Sequence, residues 1–276
     1  MNRSKSSDAK RSPLAIYKLG AAVILLLTAV VGMIAFLAFF DSDSRYFKSS
    51  PAKIVLYVIL AFAVIFAISA FFASKKIGKI EIKQKTPYNL SLIPTATSIA
   101  VFAIAATEIT TGDNSIISII ISISLLGVAL YHLADVLKIS ATAKLALGYV
   151  QIIFCILLIS KLHLDFDVEL NSPIKLLTQF SAATAVLSTL SDLRFLIDRA
   201  STGYFIFSKI CCLTVSLLAS IGALTEVVCN LDKYGIDLLI YPILFLAAAV
   251  PTAVRFFTAT TAPDSEPEPS EKETAS

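Results

Sequence analysis

Apolar residues in this chain come in eight long runs separated by short polar stretches, at roughly 17–40, 53–74, 89–109, 115–137, 143–161, 174–196, 205–228 and 235–257. Each run approaches or exceeds the ~20 residues that a helix needs to cross ~30 Å of hydrocarbon. Inside lipid the backbone must satisfy its own hydrogen bonds, so such runs read as helices. Porin-type strands would be ~10 residues long with polar alternation, and no run alternates that way. The pattern predicts an all-α fold, a polytopic integral membrane helical bundle with eight transmembrane helices. Run 89–109 departs most from the others. It is rich in Thr and Ser and contains Pro94, so a re-entrant or buried segment is its alternative reading.

Composition agrees. Of 276 residues, 57% are hydrophobic and 16% charged, against about 25% charged in soluble domains. The first run is too long for the ~7–15-residue core of a secretory signal, so it reads as an uncleaved anchor. Basic residues set the expected orientation. Seventeen Lys and Arg fall in the N-terminal segment, the second-to-third, fourth-to-fifth and sixth-to-seventh connections and the C-terminal side, against six on the other side. Both termini are therefore expected in the cytoplasm (N-in/C-in), with an even number of crossings. Short loops fit a multi-pass protein of the cell membrane, of the bacterial plasma-membrane kind.

Three regions follow: a cytoplasmic segment 1–14, an eight-helix transmembrane domain 15–260, and a tail 261–276. The tail, TAPDSEPEPSEKETAS, is acidic and rich in Pro and Ser, which predicts disorder. It leaves room for a cytoplasmic or membrane protein partner beside the lipid bilayer itself. At 162–173 the loop ends in NSP, which places Asn171 or Ser172 as a helix cap with Pro173 in the first helical position. The last run holds Pro242 and Pro251, each able to kink its helix.

Lipid supplies no hydrophobic drive for helices to meet, so small and polar residues mark the packed faces. Steps of three and four keep one face of a helix. Such faces are Ser115, Ser118, Ser122 and Ala129 in the fourth run, and Thr178, Ser181, Ala185, Ser188 and Asp192 in the sixth. The seventh has Cys212, Ser216, Ala219, Ala223 and Glu226. They read as contacts between helices or as the lining of a polar path.

The charges fall at distinct depths. Asp192 lies about 27 Å along the sixth helix at ~1.5 Å per residue, near the inner interface. Asp192 and Arg199 share a face, and Arg194 and Asp198 are spaced to pair. His132 and Asp135 close the fourth helix, with Lys209 and Arg255 at the same level. These groups form a cytoplasmic-side ionic collar or an inner gate, with the long cations able to snorkel to water. Glu108, Glu226 and Asp237 form an outer acidic set, and ionisable groups within spans are site candidates. Gln151 is the deepest strongly polar residue and is expected to hydrogen-bond across a helix interface.

Other chemistry finds no support. A net charge of +3 without a long basic run gives no reason to expect nucleic acid. Cys155, Cys211, Cys212 and Cys229 lack CxxC spacing, and His132 and His163 are assigned to opposite sides, so no metal or cofactor is expected. No HExxH, GxSxG or GxxxxGK[ST] occurs, and catalytic residues are not indicated. Two functions stand: a small-solute transporter or permease-like component without an evident energy-coupling motif, and a non-catalytic subunit or scaffold of a larger membrane complex. A membrane-embedded enzyme using His132 and Asp135 is a distant third.

Overall fold

In a computed structural model, the chain is described over residues 13–41, 44, 46–82, 90–111, 116–134, 136–137, 139–164, 172–234 and 240–261. These residues form eight α-helices: α1 (Pro13–Phe39), α2 (Ser50–Ile77), α3 (Leu92–Thr111), α4 (Ile116–Leu133), α5 (Ala141–Leu164), α6 (Pro173–Leu196), α7 (Thr202–Tyr234) and α8 (Ile240–Thr258). Four two-residue strands make two antiparallel pairs. β1 (Phe40–Asp41) pairs with β2 (Tyr46–Phe47) in the register Phe40↔Phe47, and β3 (Ile80–Glu81) pairs with β4 (Thr260–Thr261) in the register Ile80↔Thr261. The 1–12 segment and the tail beyond 261 lie outside the described residues.

Among the described residues, α1, α2, α3, α5 and α7 are long and apolar enough to cross a membrane, and α4 and α8 contain shorter apolar stretches. The molecule is a multi-pass membrane helical bundle. Its outer surface agrees, because Leu26, Leu37, Ile65 and Phe72 are 65–84% exposed, a density of bare hydrocarbon that lipid covers and water does not.

Helix α7 is the hub. It packs on α1, α2, α6 and α8, while α3, α4, α5 and α6 follow one another as neighbours and α3 closes onto α8. The small-residue faces are what allow this. Ser118, Ser122 and Ala129, then Thr178, Ser181, Ala185 and Ser188, then Cys212, Ser216, Ala219, Ala223 and Glu226 are all buried. Ser115 lies outside the described residues.

Successive helices run in opposite directions, so one end of the bundle collects the starts of α1, α3, α5 and α7 and the ends of α2, α4, α6 and α8. Lys18 of α1 donates to the carbonyls of Phe257 and Ala259 at 2.8 and 2.5 Å, satisfying acceptors that the C-terminus of α8 leaves open. Thr202, opening α7, donates to the Gly78 carbonyl beyond α2 at 2.7 Å. Gly78 sits at φ 79°, a conformation that favours glycine. The β3–β4 pair lies at this end too. At the other end the β1–β2 pair stacks Phe40 and Phe47 on Phe36.

Three expectations change in detail. Run 89–109 is a helix, and Pro94 stands in its first turn, where a missing N–H costs nothing. Pro242 likewise opens α8, so only Pro251 interrupts a helix interior. Ser172 caps α6 by position with Pro173 following, but its side chain makes no capping hydrogen bond.

Candidate functional site

Antiparallel packing of α6 on α7 sets the geometry. Ser181 and Ser216 share a hydrogen bond of 2.8 Å, and seven residues further along each helix Lys209 donates to the Ser188 hydroxyl at 2.8 Å and its carbonyl at 3.1 Å. A seven-residue step is nearly two full turns, so both contacts lie on the same pair of faces. Asp192 is one turn beyond Ser188 and meets Lys209 at 2.7 Å. Arg255 of α8 closes on the other carboxylate oxygen of Asp192 and donates to the Tyr131 hydroxyl of α4 at 3.1 Å. One carboxylate thereby joins four helices.

Burial distinguishes this cluster from a surface ion pair. The Lys209 side chain is 0% exposed, that of Asp192 11% and that of Arg255 14%. Lysine has three N–H donors; Lys209 hydrogen-bonds both Ser188 oxygens and stands 2.7 Å from Asp192 Oδ1 as an ion pair. A carbonyl and a carboxylate cannot donate back, so the arrangement suits the charged ammonium. Lys209 therefore does not snorkel to water as the sequence suggested; it turns inward.

Polar contacts continue from the cluster toward the middle of the bundle. Ser188 and Thr252 are 3.2 Å apart, and the Cys212 thiol lies 3.9 Å from both Thr252 and Ser216. With the Ser181–Ser216 bond, a ladder of hydroxyls and one thiol runs from Ser181 to Asp192. Beside it are two internal cavities. The deeper, of about 40 Å³, is walled by Val101, Val128, Phe154, Ser181 and Phe245, and the inner one, of about 10 Å³, by Ser188, Asp192, Thr252 and Arg255. His132, Gln151, Ala185 and Ala248 border both, so the two cavities are neighbours along one polar crevice, with these four residues at the waist between them. The deeper cavity has room for a few waters.

Gln151 faces this waist. It is 7% exposed, and its Oε1 has no hydrogen-bond partner in the protein. The expected bond across a helix interface is not made by this atom. His132 is 4% exposed and stands edge-on to Tyr131 at 5.6 Å between centroids.

The remaining predicted residues lie elsewhere. Arg194 does not pair with Asp198. Its Nε donates to the Arg199 carbonyl at 3.2 Å, and its guanidinium sits 5.2 Å over the Tyr204 ring. Asp198 instead ends α6 in the left-handed region at φ 54°, and the Arg199 N–H closes back on the Arg194 carbonyl at 2.9 Å, a left-handed helix stop. Arg199 is exposed and stays outside the cluster. Glu226 is buried near the opposite end of α7, and Glu108 is partly exposed near the end of α3. Asp135 and Asp237 lie outside the described residues.

Of the cluster and its ladder, Asp192, Lys209 and Arg255 are the residues the sequence put in the collar and Ser188 lies on the expected small-residue face of α6, whereas Tyr131 and Thr252 were not expected. Lys209 also extends the small-residue face of α7 by one further step of three from Cys212. Among the described residues, no group of three His, Cys, Asp or Glu is placed to hold a metal ion.

These features define the class: a polytopic membrane bundle with a buried carboxylate–lysine–arginine cluster at one end of an internal polar crevice. Comparison of the chain with family models, with curated proteins and with solved structures finds no match.

Proposed function

We propose that the protein is a small-solute permease-like component whose path is the crevice between α3, α4, α5, α6 and α8. The observation that supports the reading is the succession of two adjoining cavities, the deeper at Ser181 and the inner at Asp192 and Arg255, with four lining residues in common. A purely packing subunit gains nothing from a buried glutamine oxygen without a partner, which carries a desolvation cost of ~1–3 kcal/mol. A path for a polar solute does, because the passing molecule or its water supplies the missing donor.

In this reading all eight helices cross the bilayer, with both termini and the Asp192 end cytoplasmic. The alternation of helix directions and the concentration of Lys and Arg in the loops of that end support it. The Asp192–Lys209–Arg255 bridge then serves as the inner closure, and the small cavities correspond to a closed state. Opening requires α8 to move so that Arg255 leaves Asp192 while Lys209 keeps the carboxylate paired. Arg255, 14% exposed, can then turn toward water, and no carboxylate is left unpaired in the low-dielectric interior.

The test is reconstitution into liposomes with uptake measured over a panel of small polar solutes and ions. Ala185 at the waist is replaced by Leu to block the crevice. Uptake by the parent chain that A185L abolishes, at equal protein level and unchanged elution in size exclusion, is the expected result. Uptake indifferent to A185L sinks the proposal.

A further inference from the structure

The helices α2 and α6 both rest on α7 but leave a slot between them at the β1–β2 end. The slot has a volume of about 100 Å³. Leu218 of α7 forms its floor, Leu56 and Leu60 one wall, Leu177 and Phe180 the other, and Lys53 is the one charged residue lining it among the described residues. Lys53 is in the first turn of α2, and Leu60 is seven residues deeper, or about 10 Å at the helical rise. That distance lies within the depth of one leaflet of a ~30 Å hydrocarbon core.

The mouth of this slot carries a cation. The Lys53 ammonium lies 5.5 Å over the Tyr46 ring, and no hydrogen bond or ion pair to it occurs among the described residues. Its neighbour Lys48 differs, being paired with Asp41 at 3.7 Å. Both α2 and α6 begin here, so two helix N-termini add partial positive charge at the same place. Next to Pro173, which lines the slot, Ser172 is 1% exposed and its hydroxyl has no partner.

We propose that this slot binds one phospholipid of the leaflet at the β1–β2 end, with an acyl chain between α2 and α6 and the phosphate on Lys53. The chemistry of the slot selects that occupant: an apolar trough at acyl-chain depth, closed at the interface by an ammonium with no acceptor among the described residues. The slot is separate from the crevice and does not depend on the transport reading.

The test uses the full chain in phosphatidylcholine nanodiscs doped with phosphatidylglycerol carrying a diazirine on its acyl chain. After irradiation, peptides are mapped by mass spectrometry. Labelling concentrated at 53–60 and 173–180, above that of the lipid-facing surface of α1 around Leu26, is expected. K53Q should lower it about fivefold, the size of one lysine–phosphate attraction near a membrane surface, and L60W should remove it by filling the trough. Labelling no higher than on α1, or unchanged in both variants, overturns the proposal, as does a protein–protein crosslink at these peptides showing a second copy in the slot.

Discussion

Asp192 and Lys209 face each other at 2.7 Å across the α6–α7 interface, with the lysine wholly enclosed by protein. Removing two charges from water costs several kcal/mol per ion, and their attraction offsets it only when every donor is used. Here Ser188 accepts two hydrogen bonds beside the Asp192 ion pair. The cluster is thus conditional: intact it fixes four helices, and broken it leaves a charge where none can be solvated.

Asp192→Ala should therefore lower stability by about 3–5 kcal/mol, the size expected when a buried charge loses its partner. Thermal unfolding in detergent, followed by size exclusion, is the measurement. The double variant D192L/K209M should recover part of the loss, since Arg255 keeps 14% exposure and can turn outward. A D192A protein with the parent's unfolding temperature would show that the cluster contributes nothing to the fold.

Gln151→Leu separates packing from passage. The buried Oε1 without a partner costs free energy, so replacing it with hydrocarbon should leave stability unchanged or raise it by about 1 kcal/mol. If the crevice conducts, the same change should depress solute uptake in liposomes. A marked fall in unfolding temperature would instead mean that the amide holds helices together.

The helices and their buried faces were legible because both are properties of single segments. A 20-residue apolar run and a step of three or four small residues can be read without knowing any partner, and the buried Ser181, Ala185 and Ser188 fit that reading. The level of the cluster was legible, since depth along the helices puts Asp192, Lys209 and Arg255 together, but its pairing was not, because pairing is a relation between segments. Asp192 shares its own helix with Arg194, yet its cations come from α7 and α8, and spacing along α6 carries no information about them. Arg194 and Asp198 have pairing spacing, but the left-handed stop at Asp198 takes that residue out of the helix. Depth misled for Lys209: a lysine two turns into a span can reach water, and here Ser188 and Asp192 turn it inward.

Gly203 should resist even alanine. A Cβ there would lie 3.0 Å from the Phe71 Cα and 3.3 Å from the Ala70 carbonyl oxygen, both backbone atoms of α2. Backbone cannot yield as a side-chain tip does, so G203A should push α2 from α7 and cost about 1–3 kcal/mol. Unfolding temperature in detergent reads this directly, and a neutral G203A would mean that α2 and α7 slide freely at that level.

Cys229 offers the sharpest test of orientation. Cys155, Cys211 and Cys212 are buried, whereas Cys229 is exposed near the end of α7 opposite Thr202. Thr202 belongs to the end that also carries Lys18, Gly78 and Ala259. If the lysine-rich end is cytoplasmic, Cys229 faces the outside. A membrane-impermeant maleimide added to intact cells should then label the protein at one thiol, and C229S should abolish the label. Three further thiols should react only after denaturation. Labelling of Cys229 that requires opened cells or inverted vesicles would reverse the orientation while leaving the bundle as described. Labelling of Cys212 in the native protein would show instead that the crevice is open to water from one side.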